Sequence, residues 1–165
     1  MPIVDQKPKP DQTTLVVVDA GLLHIAEGKE PTANYIRLIQ QLAPENSKIC
    51  FHVPHHKQVH EQRRFLASHG VELVSTPPNW VRSKCSTSIS MLSEIFIKAP
   101  ESSELILISG SADFTLAVQW LWNVHTVPTT VAVPKGVRVS KLLLAVARSF
   151  TILSSNESTS TTTTV

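Results

Sequence analysis

Short apolar runs alternate with segments of helical spacing along most of this chain. The run TLVVVD at 14–19 is β-branched and almost wholly apolar, which is typical of a strand buried on both faces. Similar runs predict further strands at 47–53, 71–75, 103–110, 129–134 and 150–153. Apolar residues spaced three or four positions apart predict helices at 31–43, 57–70, 88–99, 112–125 and 139–149. Strands that alternate with helices predict an α/β domain with a parallel sheet and right-handed crossovers.

The two ends of the chain lack this pattern. Residues 1–13 contain three prolines and no periodicity, and residues 154–165 form a Ser/Thr-rich tract with nothing to bury. We therefore expect both ends to be disordered. The length of 165 residues and the apolar content of 42% suit one globular domain, which we place at 14–153.

Composition narrows the expected compartment and the class of partner. No apolar run approaches the roughly 20 residues that span a bilayer, and the first residues lack the apolar core of a signal peptide. We therefore expect no membrane contact and a cytoplasmic location. Cys50 and Cys85 do not form a disulfide framework, and Cys50 is expected to be inert packing inside an apolar strand. The formal net charge of +2 is too small to indicate a polyanionic partner by itself.

An aspartate, Asp19, ends the first predicted strand, where a carboxylate is costly to desolvate unless something positive meets it. The second aspartate of the predicted domain, Asp113, follows the fourth strand. If the strand order is 3-2-1-4-5, strands one and four are neighbours, and both carboxylates reach the edge where parallel sheets bind ligands. Paired carboxylates at such an edge suit a hard divalent cation. Asp113 has an alternative role, because Ser111 and Asp113 at the start of a helix are both common capping residues.

Four segments, taken in order, resemble the NYN domains, a branch of the PIN-like nuclease superfamily. They are VVVDAGLL (16–23), VRSKCSTSI (81–89), LILISGSADF (105–114) and VAVPKGVRVSKLLLAVARSFTIL (131–153). The resemblance covers roughly residues 14–153 and implies a three-layer, Rossmann-like α/β/α fold. It also implies RNA hydrolysis with Mg²⁺ or Mn²⁺ held by three or four acids, in which the metal activates the attacking water.

The resemblance assigns the first acid of that cluster to Asp19 and the last to Asp113. The two remaining acid positions hold Thr87 and Ser111, which offer neutral hydroxyl oxygens but no charge. The resemblance therefore implies a reduced site that binds one Mg²⁺ or Mn²⁺ weakly, with catalysis that is weak or lost. If the chain is active, the expected activity is that of a metal-dependent endoribonuclease. A third acid could come from another part of the chain, although no spacing requires it: Glu27, Glu30 or Glu94.

Aromatic and basic residues near the expected crevice suggest RNA as the partner. In the segment NWVRSK at 79–84, Trp80 could stack on a base while Arg82 and Lys84 meet phosphates. Lys135 could add a further contact to the RNA backbone. The alternative for Trp80 is to pack its loop onto the sheet.

A second aromatic pair suggests a protein partner. Trp120 and Trp122 lie two positions apart on a predicted helix, so they cannot share one face and at least one is expected to be half exposed. An exposed tryptophan there suggests a partner or homodimer surface. Two functions therefore remain open. The chain acts on or binds RNA as an NYN relative, or it is an inactive pseudo-nuclease that serves as a protein-interaction or assembly subunit.

Four histidines lie close together in the segment FHVPHHKQVH, of which the first is His52. His56 and His60, at positions i and i+4, could share a helical face and ligate zinc. Because no cysteine or acid other than Glu61 completes the set and the HExxH order is absent, solvated histidines at a helix start are the favoured interpretation. A contact to RNA phosphate is a further alternative.

Overall fold

A parallel sheet forms the centre of the molecule in a computed structural model that describes residues 13–25, 32–53, 59–75, 86–154 and 163–164. Its strands are β1 (Leu15–Asp19), β2 (Lys48–Val53), β3 (Val71–Ser75), β4 (Leu105–Ile108), β5 (Thr129–Pro134), β6 (Ser149–Leu153) and β7 (Thr163–Thr164). The first six are parallel in the order β3-β2-β1-β4-β5-β6, and β7 pairs antiparallel with β6. The predicted α/β class and strand order are confirmed, and the run at 150–153 is confirmed as part of a sixth strand.

Helices cover both faces of this sheet, as a three-layer α/β/α fold requires. Within the described residues they are α1 (Ala20–Ile25), α2 (Thr32–Leu42), α3 (Val59–Ser68), α4 (Ser86–Lys98), α5 (Thr115–Trp120) and α6 (Lys141–Val146). On one face, apolar side chains of α2 and α3 pack against the sheet, among them Ile36 and Leu66. On the other face, α4, α5 and α6 contribute residues such as Ile95, Val118 and Leu143.

The two central strands, β1 and β4, are apolar on both faces, which is why they lie in the middle of the sheet. Every residue from Leu15 to Val18 and from Leu105 to Ile108 is buried. Burial of a side chain of this size contributes about 1.5–3 kcal/mol to folding. Val18 pairs with Ile108 in the parallel register, so the apolar core ends at the same level on both strands. The polar residues Asp19 and Ser109 follow them directly in the chain, so the polar end of the sheet begins there.

Two predicted helices are less regular than the sequence indicated. The segment at 112–125 has three parts, because Ala112–Phe114 form a 3-10 turn before α5 and Leu121–His125 form a π-helical turn after it. The helix predicted at 139–149 is reduced to α6, since the chain is extended again at Ala147. Both irregular helix ends lie next to the start of β5.

The terminal segments that were expected to be disordered lie largely outside the described residues. Thr13, Ser154 and Thr163–Thr164 are described. Thr163 and Thr164 form β7 against β6, although the sequence predicted no structure for this tail. Within the described residues, no helix is long and apolar enough to cross a membrane.

Candidate functional site

The carboxylate of Asp19 lies where the core of the sheet ends. Alternation along β1 places its side chain on the same face as Val17, which is the face covered by α4, α5 and α6. The backbone N–H of Gly21 donates a hydrogen bond of 3.0 Å to Oδ1 of Asp19. Burial raises the pKa of this carboxyl above its ordinary value, and the bond from Gly21 lowers the pKa by less. Among the described residues, no cation lies within ion-pair distance of Asp19. The carboxylate is therefore held at this edge against its own desolvation cost.

A buried histidine, His52, lies beside Asp19 on the neighbouring strand. The two residues are register partners in the parallel pair of β1 and β2. The imidazole of His52 is 0% exposed, and its Nδ1 lies 2.9 Å from Oγ of Ser90 on α4. Its Nε2 is buried with no hydrogen-bond partner among the described residues. Burial lowers the pKa of His52 to about 4, so the ring is neutral at physiological pH.

His52 lies in the strand predicted at 47–53, and β2 carries its side chain into the sheet. His55 and His56 lie outside the described residues, and His60 lies in α3. No group of three or more His, Cys, Asp or Glu side chains able to hold a metal is found in the described part of the chain.

The second predicted acid, Asp113, lies in a different environment. It is in the 3-10 turn before α5, and its side chain is exposed. The capping role belongs to Ser111, whose Oγ accepts a hydrogen bond of 3.2 Å from the backbone N–H of Asp113. Thr87 is half-buried in the first turn of α4, the helix that reaches His52 through Ser90. The neutral residues at the two missing acid positions therefore lie in helix-starting turns.

The candidate third acid within the described residues, Glu94, is engaged elsewhere. Its carboxylate forms an ion pair with Lys98 and accepts a hydrogen bond of 3.4 Å from Sγ of Cys50. Burial alone would raise the pKa of Glu94, but the hydrogen bonds and the charge of Lys98 hold it below its ordinary value. Burial and the nearby glutamates raise the pKa of Cys50 to about 12, so its thiol is unreactive, as expected for inert packing.

The donor set at this edge does not match that of a tightly held divalent cation. A protein-bound Mg²⁺ takes oxygen ligands in near-octahedral geometry, through carboxylates fixed in position. Among the described residues, the edge offers one half-buried acid, Asp19, and one exposed acid, Asp113. Ser111 already uses its Oγ as a cap. The described residues at this edge therefore lack the ligands that would hold a divalent cation tightly.

A basic loop lies against the end of β4. The backbone N–H of Ser140 donates a hydrogen bond of 2.9 Å to the carbonyl oxygen of Gly110. A Cβ at Gly110 would overlap the carbonyl oxygen of Arg138, so only glycine allows this close approach. The loop and the start of α6 bring exposed cationic side chains to the carboxyl ends of β4 and β5, namely Lys135, Arg138 and Lys141.

The other predicted binding residues divide into two groups. Trp80, Arg82 and Lys84 lie outside the described residues. Trp120 is half-buried and packs against the rings of Phe96 and His125, whereas Trp122 is exposed. The expectation that at least one of the two tryptophans is exposed is therefore confirmed.

Replacing Asp19 with asparagine is expected to stabilise the protein. Asparagine keeps an oxygen for the N–H of Gly21 but removes the charge that burial disfavours, so the free energy of unfolding at pH 7 should rise by about 1 kcal/mol. Urea denaturation at pH 7 measures this gain. The pKa of Asp19 is raised in the folded state, so the carboxyl is already protonated in acid and no longer carries the charge that burial disfavours. The difference in stability between Asp19→Asn and wild type should therefore disappear below pH 4.

The matched control for this substitution is Asp113→Asn, which removes an exposed carboxylate from the same edge. It should bring no gain, since that charge is solvated and lies in the first turn of a helix. A loss of stability in Asp19→Asn would contradict the interpretation and assign Asp19 a structural role.

Comparison with known proteins identifies the fold. No family model and no curated protein matches this chain. The chain is similar to the crystal structure of a protein of unknown function from Vibrio parahaemolyticus, with a TM-score of 0.70 and 16% sequence identity. The likeness covers 87% of this chain and 94% of the other. At this identity it bears on the fold alone.

Proposed function

We propose that this chain is a PIN-like domain of the NYN type that binds single-stranded RNA at the carboxyl edge of its sheet, with RNA cleavage weak or lost. The observation that carries the proposal is the placement of Asp19. A half-buried carboxylate with a raised pKa, at the end of a central parallel strand, does not stabilise the fold. Residues held at such a cost are characteristic of functional sites.

The charges around the edge support RNA as the ligand. Lys135, Arg138 and Lys141 are exposed on the side of β4 and β5, where they suit a phosphate backbone. Trp80, Arg82 and Lys84, which lie outside the described residues, are proposed to add contacts to the RNA, with the indole stacking on a base.

The distribution of acids supports weak or absent cleavage. Thr87 and Ser111 stand at two of the four acid positions that the resemblance implies. Asp113, at a third, is exposed. Hydrolysis by this family's chemistry depends on a metal that lowers the pKa of the attacking water. With two carboxylates, of which one is solvated, we expect at most weak binding of one Mg²⁺ or Mn²⁺.

The test combines binding and cleavage with one panel of single-stranded RNA. Wild type should bind RNA, and Lys135→Gln should bind it more weakly at every sequence, with the salt dependence reduced by about one phosphate contact. The matched control is Arg37→Gln, which removes an exposed arginine from α2 on the opposite face. Cleavage in Mn²⁺ should be slow or absent, and any cleavage should vanish in Asp19→Asn. Failure to bind any RNA at low salt would overturn the proposal.

Exposed apolar residues favour a second candidate, an inactive pseudo-nuclease that serves as an assembly subunit. Phe96 and Ile97 on α4, together with Trp122 and Val124 after α5, are all exposed at the ends of neighbouring helices. Where exposed apolar side chains adjoin one another, they are typical of a protein-interaction surface. A dimer by light scattering, combined with no RNA binding, would favour this function over the first.

A further inference from the structure

A pocket of about 330 Å³ lies near the amino end of β5, whereas Asp19 lies at the carboxyl end of β1. It opens between the end of α5 and the end of α6, above the start of β5. Its size is at the lower limit of small-molecule sites. Neither the resemblance nor the proposed RNA crevice uses this pocket, and the inference therefore goes beyond the proposed function.

The backbone beside this pocket departs from regular helix in two ways. Leu121–His125 form a π-helical turn, a feature that is common at functional sites. The next residue, Thr126, has a φ of 55°, in the left-handed region that β-branched residues rarely adopt. Such a conformation costs about 1–3 kcal/mol and persists where the surrounding structure enforces it. The π-helical turn contributes two lining residues, Trp122 and Asn123.

An aromatic ring and a guanidinium form one wall of the pocket. The indole of Trp122 is 46% exposed, so part of its ring is open to a ligand. The guanidinium carbon of Arg148 lies 5.7 Å from the centre of this ring, within cation–π distance. The backbone N–H of Arg148 donates a hydrogen bond of 2.9 Å to the carbonyl oxygen of Thr129. This bond fixes Arg148 beside the first residue of β5.

Polar side chains complete the lining of the pocket. Thr129 is 2% exposed, and its Oγ1 has no hydrogen-bond partner among the described residues. This hydroxyl is sealed from the open pocket, so it is not a contact for a ligand. The carboxamides of Gln119 and Asn123 lie four positions apart at the pocket and are exposed.

The chemistry of these groups defines the ligand. The indole offers a π face, the carboxamides offer paired donors and acceptors, and the guanidinium offers a planar fork that matches phosphate. The described lining residues include no Asp or Glu, so the pocket does not select cations. We infer that this pocket binds one nucleoside monophosphate unit, with the base against Trp122 and the phosphate at Arg148. The unit is either a free nucleotide or one nucleotide of an RNA strand.

Calorimetric titration of the full chain with AMP, GMP, CMP and UMP tests the inference, alongside a short single-stranded RNA. Arg148→Gln is expected to weaken binding at least tenfold, because it removes the guanidinium fork. Trp122→Ala is expected to weaken binding several-fold with little change in the free energy of unfolding, because it removes a half-exposed indole that would pack against the base. The second readout separates a binding role from a structural role.

Two control variants leave the pocket intact. Trp120→Phe alters the neighbouring tryptophan, which packs against Phe96 instead, and Arg64→Gln removes an exposed arginine on α3. Binding of mononucleotides that both pocket variants weaken would identify a free nucleotide as the ligand. The same effects seen with RNA alone would identify a nucleotide within a strand. If Arg148→Gln and Trp122→Ala bind every probe as wild type does, or if no probe binds, the inference is wrong.

Discussion

Replacing Gly110 with alanine is expected to destabilise the protein by about 3 kcal/mol, the upper range for overpacking a tight site. The added Cβ would overlap the carbonyl oxygen of Arg138 and would lie 3.2 Å from its carbonyl carbon and 3.3 Å from Cα of Val139. All three atoms belong to the backbone, so no side chain can rotate away. For a domain of this size the melting temperature should fall by roughly 6–12 °C. Differential scanning calorimetry measures this change directly.

The matched control is Gly136→Ala, which lies in the same loop. No heavy atom lies within 4 Å of the position its Cβ would take, but its φ is +87°. The expected cost is therefore only the left-handed backbone penalty of about 1–2 kcal/mol. Equal costs for the two substitutions would show that the contact between Gly110 and Arg138 does not constrain the loop. Gly110→Ala should also reduce RNA affinity, since it displaces the segment that carries Lys135 and Arg138.

The sheet was predictable from the sequence because its signals are local. The apolar runs of β1 and β4 need no partner to be recognised, and the short crossovers leave few strand orders to consider. The π-helical turn at Leu121–His125 has no such signal. It depends on where the following backbone N–H groups find acceptors, as in the bond from Val127 N to the carbonyl oxygen of Leu121.

The site was only partly predictable, for two physical reasons. Asp19 could be identified because a carboxylate at the end of an apolar strand is anomalous by itself. The place of His52 at the site was not predicted, because three more histidines follow within eight residues and draw attention to the helix start instead. The period of two in β2 contains the correct signal, since His52 is in phase with buried Cys50. The bond between Cys50 and Glu94 joins residues 44 positions apart, and no local pattern reveals it.

The second large effect concerns acid pH, where His52 should make the fold less stable. The ordinary pKa of histidine is 6.5, and burial lowers the folded value to about 4, with smaller and partly opposing effects from Glu94 and Lys98. As the pH falls below 6.5 the unfolded chain takes up a proton that the folded chain refuses. The loss of stability therefore grows between pH 6.5 and about 4 and then stops, because below that range both states are protonated. At 1.36 kcal/mol for each pKa unit, the full loss is about 3 kcal/mol.

The experiment is urea denaturation between pH 7.5 and 4 on wild type and His52→Gln. Glutamine does not titrate, so wild type should lose about 3 kcal/mol more stability than the variant across this range, whatever the substitution costs at pH 7. Asp19 contributes with the opposite sign, since its raised folded pKa favours the folded state in acid, but it is present in both proteins and cancels in the comparison. Parallel curves for the two proteins would mean that the folded state accommodates a charged imidazole beside Ser90. In that case His52 would not be the buried neutral neighbour of Asp19 that its 0% exposure indicates.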